Sequence, residues 1–148
     1  MPNTDQVMAT GDIESNKVPV NIFYEAFNTR NLSLLDKALA ENWDDIPLAP
    51  GQAPGLAGAK PVFEHLFGTM PDFKAELQEL IAEGDKVVAR SILTGTHNAK
   101  LLGVEATGRT IRIQAIDIHQ VQDGKIVRTW HVEDWATALG QMGALSGD

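Results

Sequence analysis

The sequence predicts an α+β domain: a cone-shaped, curved antiparallel or mixed sheet with three N-terminal helices enclosing a hydrophobic pocket. Three observations lead to it. Apolar residues recur at helical spacing as far as Met70, the period changes to two after Pro71, and the main helices precede the long strands. At 148 residues the chain has the length of one domain, with a core that buries about two-thirds of the unfolded surface.

The first helix is expected over Val18–Arg30, where Ile22, Phe23, Ala26 and Phe27 share a face and Pro19 suits the first turn. A second, from about Leu32 to Glu41, has Leu32, Leu35 and Leu39 inward and Asn31 as its N-cap. Trp43-Asp44-Asp45-Ile46-Pro47 then leads into a stretch of prolines and glycines, Pro50 to Gly55, that ends regular structure. A third helix, roughly Ala57 to Met70, carries Val62, Phe63, Leu66 and Phe67 on one side. Beyond Pro71, Phe73, Ala75, Leu77 and Ile81 mark a half-buried strand. The turn Glu83-Gly84-Asp85 leads into a strand over Lys86–His97, a loop from Asn98 to Arg109, and a long strand from Thr110 to Val121. After Gln122-Asp123-Gly124, a last strand runs from Lys125 to about Glu133, and Trp135, Leu139 and Met142 suggest a short closing helix.

Residues 1–16 read as a flexible leader, 17–145 as a single domain and 146–148 as a tail. The leader has no apolar run of a secretory kind, and no stretch anywhere has the length of a membrane span, so a cytoplasmic protein is expected. Twelve Lys and Arg against twenty Asp and Glu give a net charge of −8, which argues against nucleic acid and anionic membranes as partners. Without cysteine there is no disulfide frame, thiolate metal site or cysteine nucleophile. The histidines at 65, 97, 119 and 131 have no metal-ligand spacing, and no glycine loop precedes a helix as a phosphate cradle would. Neither a metal nor another cofactor is expected.

Glu83-Gly84-Asp85-Lys86-Val87-Val88, Thr94-Gly95-Thr96-His97, the stretch Gly103 to Gly108, Asp123-Gly124-Lys125-Ile126, His131 to Trp135 and Gln141-Met142-Gly143 follow one another in order. This ordered set resembles the SnoaL-like polyketide cyclases of the nuclear-transport-factor-2-like, cone-fold superfamily, from about Val18 to Leu145. The resemblance implies a cofactor-free enzyme acting on a small hydrophobic, polyketide-like substrate, with ring closure by intramolecular aldol condensation or isomerisation as the reaction. It also implies a homodimer or higher homo-oligomer through the outer sheet face, where Ile118 and Trp130 are apolar. In such cyclases a His on the long strand and an Asp on the last strand face the pocket. The matching positions here are Asp117 and His131, with the residue types exchanged.

Whether those two share a face depends on the hairpin between them. A two-residue loop, Asp123-Gly124, would put them on opposite faces. A three-residue loop, Gln122-Asp123-Gly124, puts Ile113, Ala115, Asp117, Val127, Thr129, His131 and Glu133 on one side, and a further bulge would bring Asp117 and His131 directly opposite. The shared face is the expectation adopted. Asp117 lies among isoleucines in a strand where an acid needs a partner, and an imidazole is a suitable one. The preferred roles make His131 the proton shuttle and Asp117 its orienting carboxylate, with the reverse as the alternative.

Arg90 is a candidate to bind an enolate oxygen or a substrate carboxylate, or else a solvated outer-face residue. His97 is a candidate at the pocket mouth, with fixing the loop as its more ordinary role. Trp43, Phe23, Phe27 and Phe63 are candidate walls for an aromatic substrate, with Thr129 and Glu133 beside His131. His65 and His119 are expected to face solvent. Two other readings stand beside the cyclase: a hydrophobic-ligand-binding or dimerisation module without turnover, and a cone-fold epoxide hydrolase. The last would use Asp117 and Arg90, with Glu133 or Asp44 as second carboxylate.

Overall fold

A computed structural model of the chain describes residues 4–145, with side chains from Ile13 onward. Helix α1 spans Thr4–Asn28, a 3₁₀ turn Leu32–Leu34 and a one-turn helix α2 Leu35–Ala38 follow, and strand β1 is Leu39–Ile46. Helix α3 is Leu56–Thr69, β2 is Lys74–Glu83, β3 Lys86–Thr96, β4 Thr110–Gln122, β5 Lys125–Glu133 and α4 Trp135–Gln141. The five strands form one mixed sheet in the order β1-β5-β4-β3-β2, antiparallel throughout except that β1 runs parallel to β5.

From Thr4 on, the stretch expected as a loose leader is the start of α1, and Pro19 therefore lies inside a helix and not in its first turn. A proline removes one hydrogen bond from a helix, and the packing of Val20, Phe23, Tyr24, Ala26 and Phe27 into the core holds the turns that follow it. The tail 146–148 lies outside the described residues.

The expected second helix is the larger departure. Helical structure stops at Ala38, and the next eight residues form β1. Glu41, Asn42, Asp44 and Asp45 have low strand propensity, but Trp43 is fully packed and the backbone pairs with β5, so tertiary contacts override the local preference. Asn31 caps the 3₁₀ turn, its side chain accepting from the Ser33 amide.

Along β4 the odd-numbered residues from Ile111 to Val121 are buried and the even ones are more open, so one face of the sheet carries the core. Helices α1 and α3 cover that face with an edge-to-face aromatic cluster: Phe27 meets Phe63 at 4.5 Å and Phe23 at 5.1 Å between ring centroids. Register shifts between Leu77 and Glu79 and between Gln120 and Val121 bend the sheet around this layer.

The second shift also settles the hairpin. Gln122 pairs with Lys125, so the loop is the two-residue Asp123-Gly124, with φ of 51° and 77° as a primed turn requires, and not the expected three-residue loop. Val121 pairs with Ile126 but Gln120 with Arg128, which leaves Val127 as an extra residue. That bulge restores the shared face and places Ile126, expected outside, in the core.

Candidate active site

Asp117 and His131 are direct cross-strand partners on the inner face. Asp117 is only 9% exposed, walled by Ala89 on β3 and by α1 above. Burial raises its pKa; a hydrogen bond from Tyr24 and the charge on His131 pull it down, the charges on Glu133 and Asp45 push it up, and the balance is about 6. Its Oδ2 accepts from Tyr24 Oη at 2.5 Å, while Oδ1 accepts no hydrogen bond among the described residues.

Tyr24 Oη also lies 2.8 Å from Nε2 of His119, whose Nδ1 lies 2.8 Å from Thr129 Oγ1, which accepts from Trp43 Nε1 at 3.0 Å. His119 is therefore not solvent-facing as expected but fully buried. Burial, with the charge on His131 adding to it, depresses its pKa to about 3, so the ring is neutral. Burial and then the Asp117 carboxylate raise the Tyr24 hydroxyl well above its ordinary value. Both residues were legible. His119 has the parity of Asp117 on one strand, and Tyr24 completes the helical set Val20, Phe23, Tyr24, Phe27.

His131 is held by a second network. Nδ1 lies 2.7 Å from Glu133 Oε2, and Nε2 lies 2.8 Å from the Pro47 carbonyl and 3.1 Å from Asp45 Oδ1. Every partner is an acceptor, so both ring nitrogens carry protons. Burial opposes that charge, but the hydrogen bonds to Asp45 and Glu133 outweigh it and hold the pKa up to about 11. Gln52 donates to the other oxygen of Asp45 at 2.9 Å and accepts from the Ala49 amide, so the cation pins the loop after β1 to the sheet. The carboxylates that orient His131 are thus Glu133 and Asp45, not Asp117, and a ring fixed as imidazolium does not titrate near neutrality.

Arg90 lies on the outer face, where its Nε donates to Glu79 at 2.7 Å; it does not reach Asp117, because its parity on β3 is opposite to that of Ala89. Asp44 likewise pairs outside with Arg128. His97 is buried, but its ring bonds to Thr107 Oγ1 and the Val104 carbonyl, fixing the loop before β4 and not a substrate. Phe23 lies 5.2 Å from the His119 ring and packs against Phe27, Phe63 and Trp43. These rings pack edge-to-face or tilted on one another, so they are core first. His65 is exposed on α3, as expected. One further inner-face residue is not among those the sequence singles out: Ser91, fully buried, whose Oγ has no hydrogen-bond partner among the described residues. It lies beside Ala89 and opposite Ala115, diagonal to Asp117.

A curved sheet roofed by helices, with an acid held on its inner wall, defines the cone-fold class of small α+β proteins. The chain belongs to the SnoaL-like polyketide cyclase family, which matches residues 18–142. Among solved structures it is similar to TsrD from Streptomyces laurentii, with 29% identity, a TM-score of 0.82, and coverage of 89% of this chain and 97% of that one. It is also similar to a candidate polyketide cyclase from Bacillus cereus at 33% identity and TM-score 0.76, covering 88% of this chain and 81% of that one. IdmH, a candidate polyketide cyclase from Streptomyces antibioticus, is 31% identical with TM-score 0.76, covering 86% and 98% respectively. No curated protein matches the chain. The family supports a cyclase-type role on a small molecule. No helix among the described residues is long and apolar enough to cross a membrane.

Proposed function

We propose that this protein is a cofactor-free acid/base enzyme acting on a small hydrophobic carbonyl compound, closing a ring in a polyketide-type substrate by intramolecular aldol chemistry or isomerising it. Asp117 is the base. Its Oδ1 removes a proton from the carbon alpha to a carbonyl, the enolate carbon attacks a second carbonyl of the same molecule, and the new alkoxide recovers the proton from Asp117. A carboxylate with a pKa of about 6 is ionised at neutral pH yet more basic than an exposed one, which suits this transfer. His131 is a fixed positive charge across from it, reversing the roles preferred from sequence. The observation that carries the reading is the asymmetry of Asp117, one oxygen held by Tyr24 and the other uncommitted on the inner wall.

The test is exchange of the alpha hydrogens of an aryl 1,3-diketone in deuterated water. Exchange by the protein that disappears in Asp117→Asn supports the base; binding of the diketone without exchange makes the cone a ligand-binding module instead. The epoxide hydrolase reading loses its arginine, since Arg90 is paired with Glu79 on the outer face.

Ser91 supplies the hydroxyl for the substrate's oxygen in this scheme, because a buried group without a partner is costly unless a ligand completes it. Ser91→Ala is expected to raise stability by about 1 kcal/mol while lowering kcat/KM about tenfold. Thermal melts and diketone kinetics on one preparation read both, and an unchanged kcat/KM removes Ser91 from the site.

The expected homo-oligomer belongs on the outer face, where Ile116 is 48% and Val132 72% exposed beside Trp130. Val132→Glu is expected to convert a dimer to monomer in sedimentation velocity; a wild-type monomer at all concentrations refutes the contact.

A further inference from the structure

The chain of side chains behind Asp117 has a direction. The Trp43 indole offers a proton and no acceptor, so it donates to Thr129 Oγ1. At the far end ionised Asp117 only accepts, so Tyr24 spends its one proton on Oδ2. Nε2 of His119, 2.8 Å from the same phenolic oxygen, is then the donor to it. A neutral imidazole has one N–H, which leaves Nδ1 bare to accept the Thr129 hydroxyl proton at 2.8 Å. Each donor meets one acceptor.

The opposite sense does not close. With the proton on Nδ1, Nε2 takes the Tyr24 proton, and Tyr24 bonds Asp117 only if Asp117 is itself protonated. The Thr129 hydroxyl proton then has no acceptor among the hydrogen bonds of the described residues.

We infer that Trp43, Thr129, His119 and Tyr24 form a one-way hydrogen-bond relay whose single fully satisfied state presents a donor to Asp117 Oδ2, so that Oδ2 is fixed as an acceptor and Oδ1 is the oxygen of this carboxyl left to take a proton. The inference rests on the proposed role of Asp117; Tyr24 and His119 act through it as positioning residues. The titratable groups facing Asp117 are Tyr24 from α1, His119 on β4, His131 and Glu133 from β5, and Asp45 from β1, while β3 contributes uncharged Ala89. Protonation of Asp117 at Oδ1 leaves Oδ2 a carbonyl oxygen that still accepts from Tyr24, so the relay keeps its sense and the His119 tautomer does not follow the titration of Asp117.

The free protein tests this without a substrate, by nitrogen-15 NMR of the His119 ring and carbon-13 NMR of the Asp117 carboxyl between pH 4 and 9. Expected is the Nε2–H tautomer at pH 8, retained as Asp117 takes its proton on Oδ1 when the pH falls through about 6. Tyr24→Phe is expected to raise the Asp117 midpoint by about one pH unit, since the lost bond favoured the carboxylate. Thr129→Val is expected to mix the His119 tautomers and Thr129→Ser to restore them, which keeps the test open should Tyr24→Phe fold poorly. An Nδ1–H tautomer at pH 8, or an Asp117 midpoint indifferent to Tyr24→Phe, overturns the relay. If the NMR results hold and Asp117→Asn still exchanges the diketone, it is the base assignment that fails.

Discussion

Asp117→Asn is expected to reduce turnover about a thousandfold and yet to stabilise the folded protein above pH 6. The first effect follows because an amide cannot take a proton in the proposed transfer, and loss of a general base costs roughly 10²–10⁴ in rate. The second follows from linkage. The folded pKa of Asp117, about 6, lies above the ordinary carboxylate value of 3.8, so its ionised form is penalised by folding. That penalty is absent below pH 3.8, develops between 3.8 and 6, and is complete above 6. Its removal is expected to contribute about 3 kcal/mol, or roughly 10 °C in Tm, at pH 8 and nothing at pH 3.5. Paired melts at the two pH values decide it: a Tm that falls at pH 8 would mean that the carboxylate holds the fold together. The wild-type kcat/KM is expected to rise with an acidic limb near pH 6.

His131→Ala is expected to be the most destabilising change in the site. The imidazolium bridges Asp45 and Glu133 and ties the loop through Pro47 to β5. Breaking such a largely buried charge pair costs about 3 kcal/mol, near 10 °C in Tm for a chain of this size. The sign with pH is opposite to that of Asp117. A raised His pKa stabilises fully below the unfolded value of 6.5 and fades as the pH climbs toward 11, so the gap between wild type and variant should narrow from pH 6 to pH 10. A gap that widens with pH would contradict the clamp. The acidic limb should also move up, because Asp117 loses the charge that favours its ionisation.

The sheet was legible because its strands obey a period of two and their turns carry glycine: β3, β4 and β5 fall within about a residue of the expected ends. Strand β1 was not, since its acidic residues suit a strand only when β5 is beside them. The shared face of Asp117 and His131 was foreseen, but by a longer loop where the chain uses a tight turn and a bulge. Parity alone placed His119 inside; nearness to the hairpin tip suggested otherwise, and the roof of α1, reaching Tyr24, closed over it. Glu133 was foreseen beside His131, but the other partners, Asp45 and Pro47, were beyond reach because they come from a segment whose fold was not recognised.

Val127 has a wider consequence. As the unpaired residue in β5 it governs which of two alternating sets every later position joins, so its presence matters more than its identity. Its deletion would invert the rest of the strand, swinging Thr129, His131 and Glu133 to the solvent and driving Arg128, Trp130 and Val132 under the helices. The chemistry of this wall is thereby governed by counting, and a single codon gained or lost would exchange an acid–base surface for a greasy one without altering any of its residues.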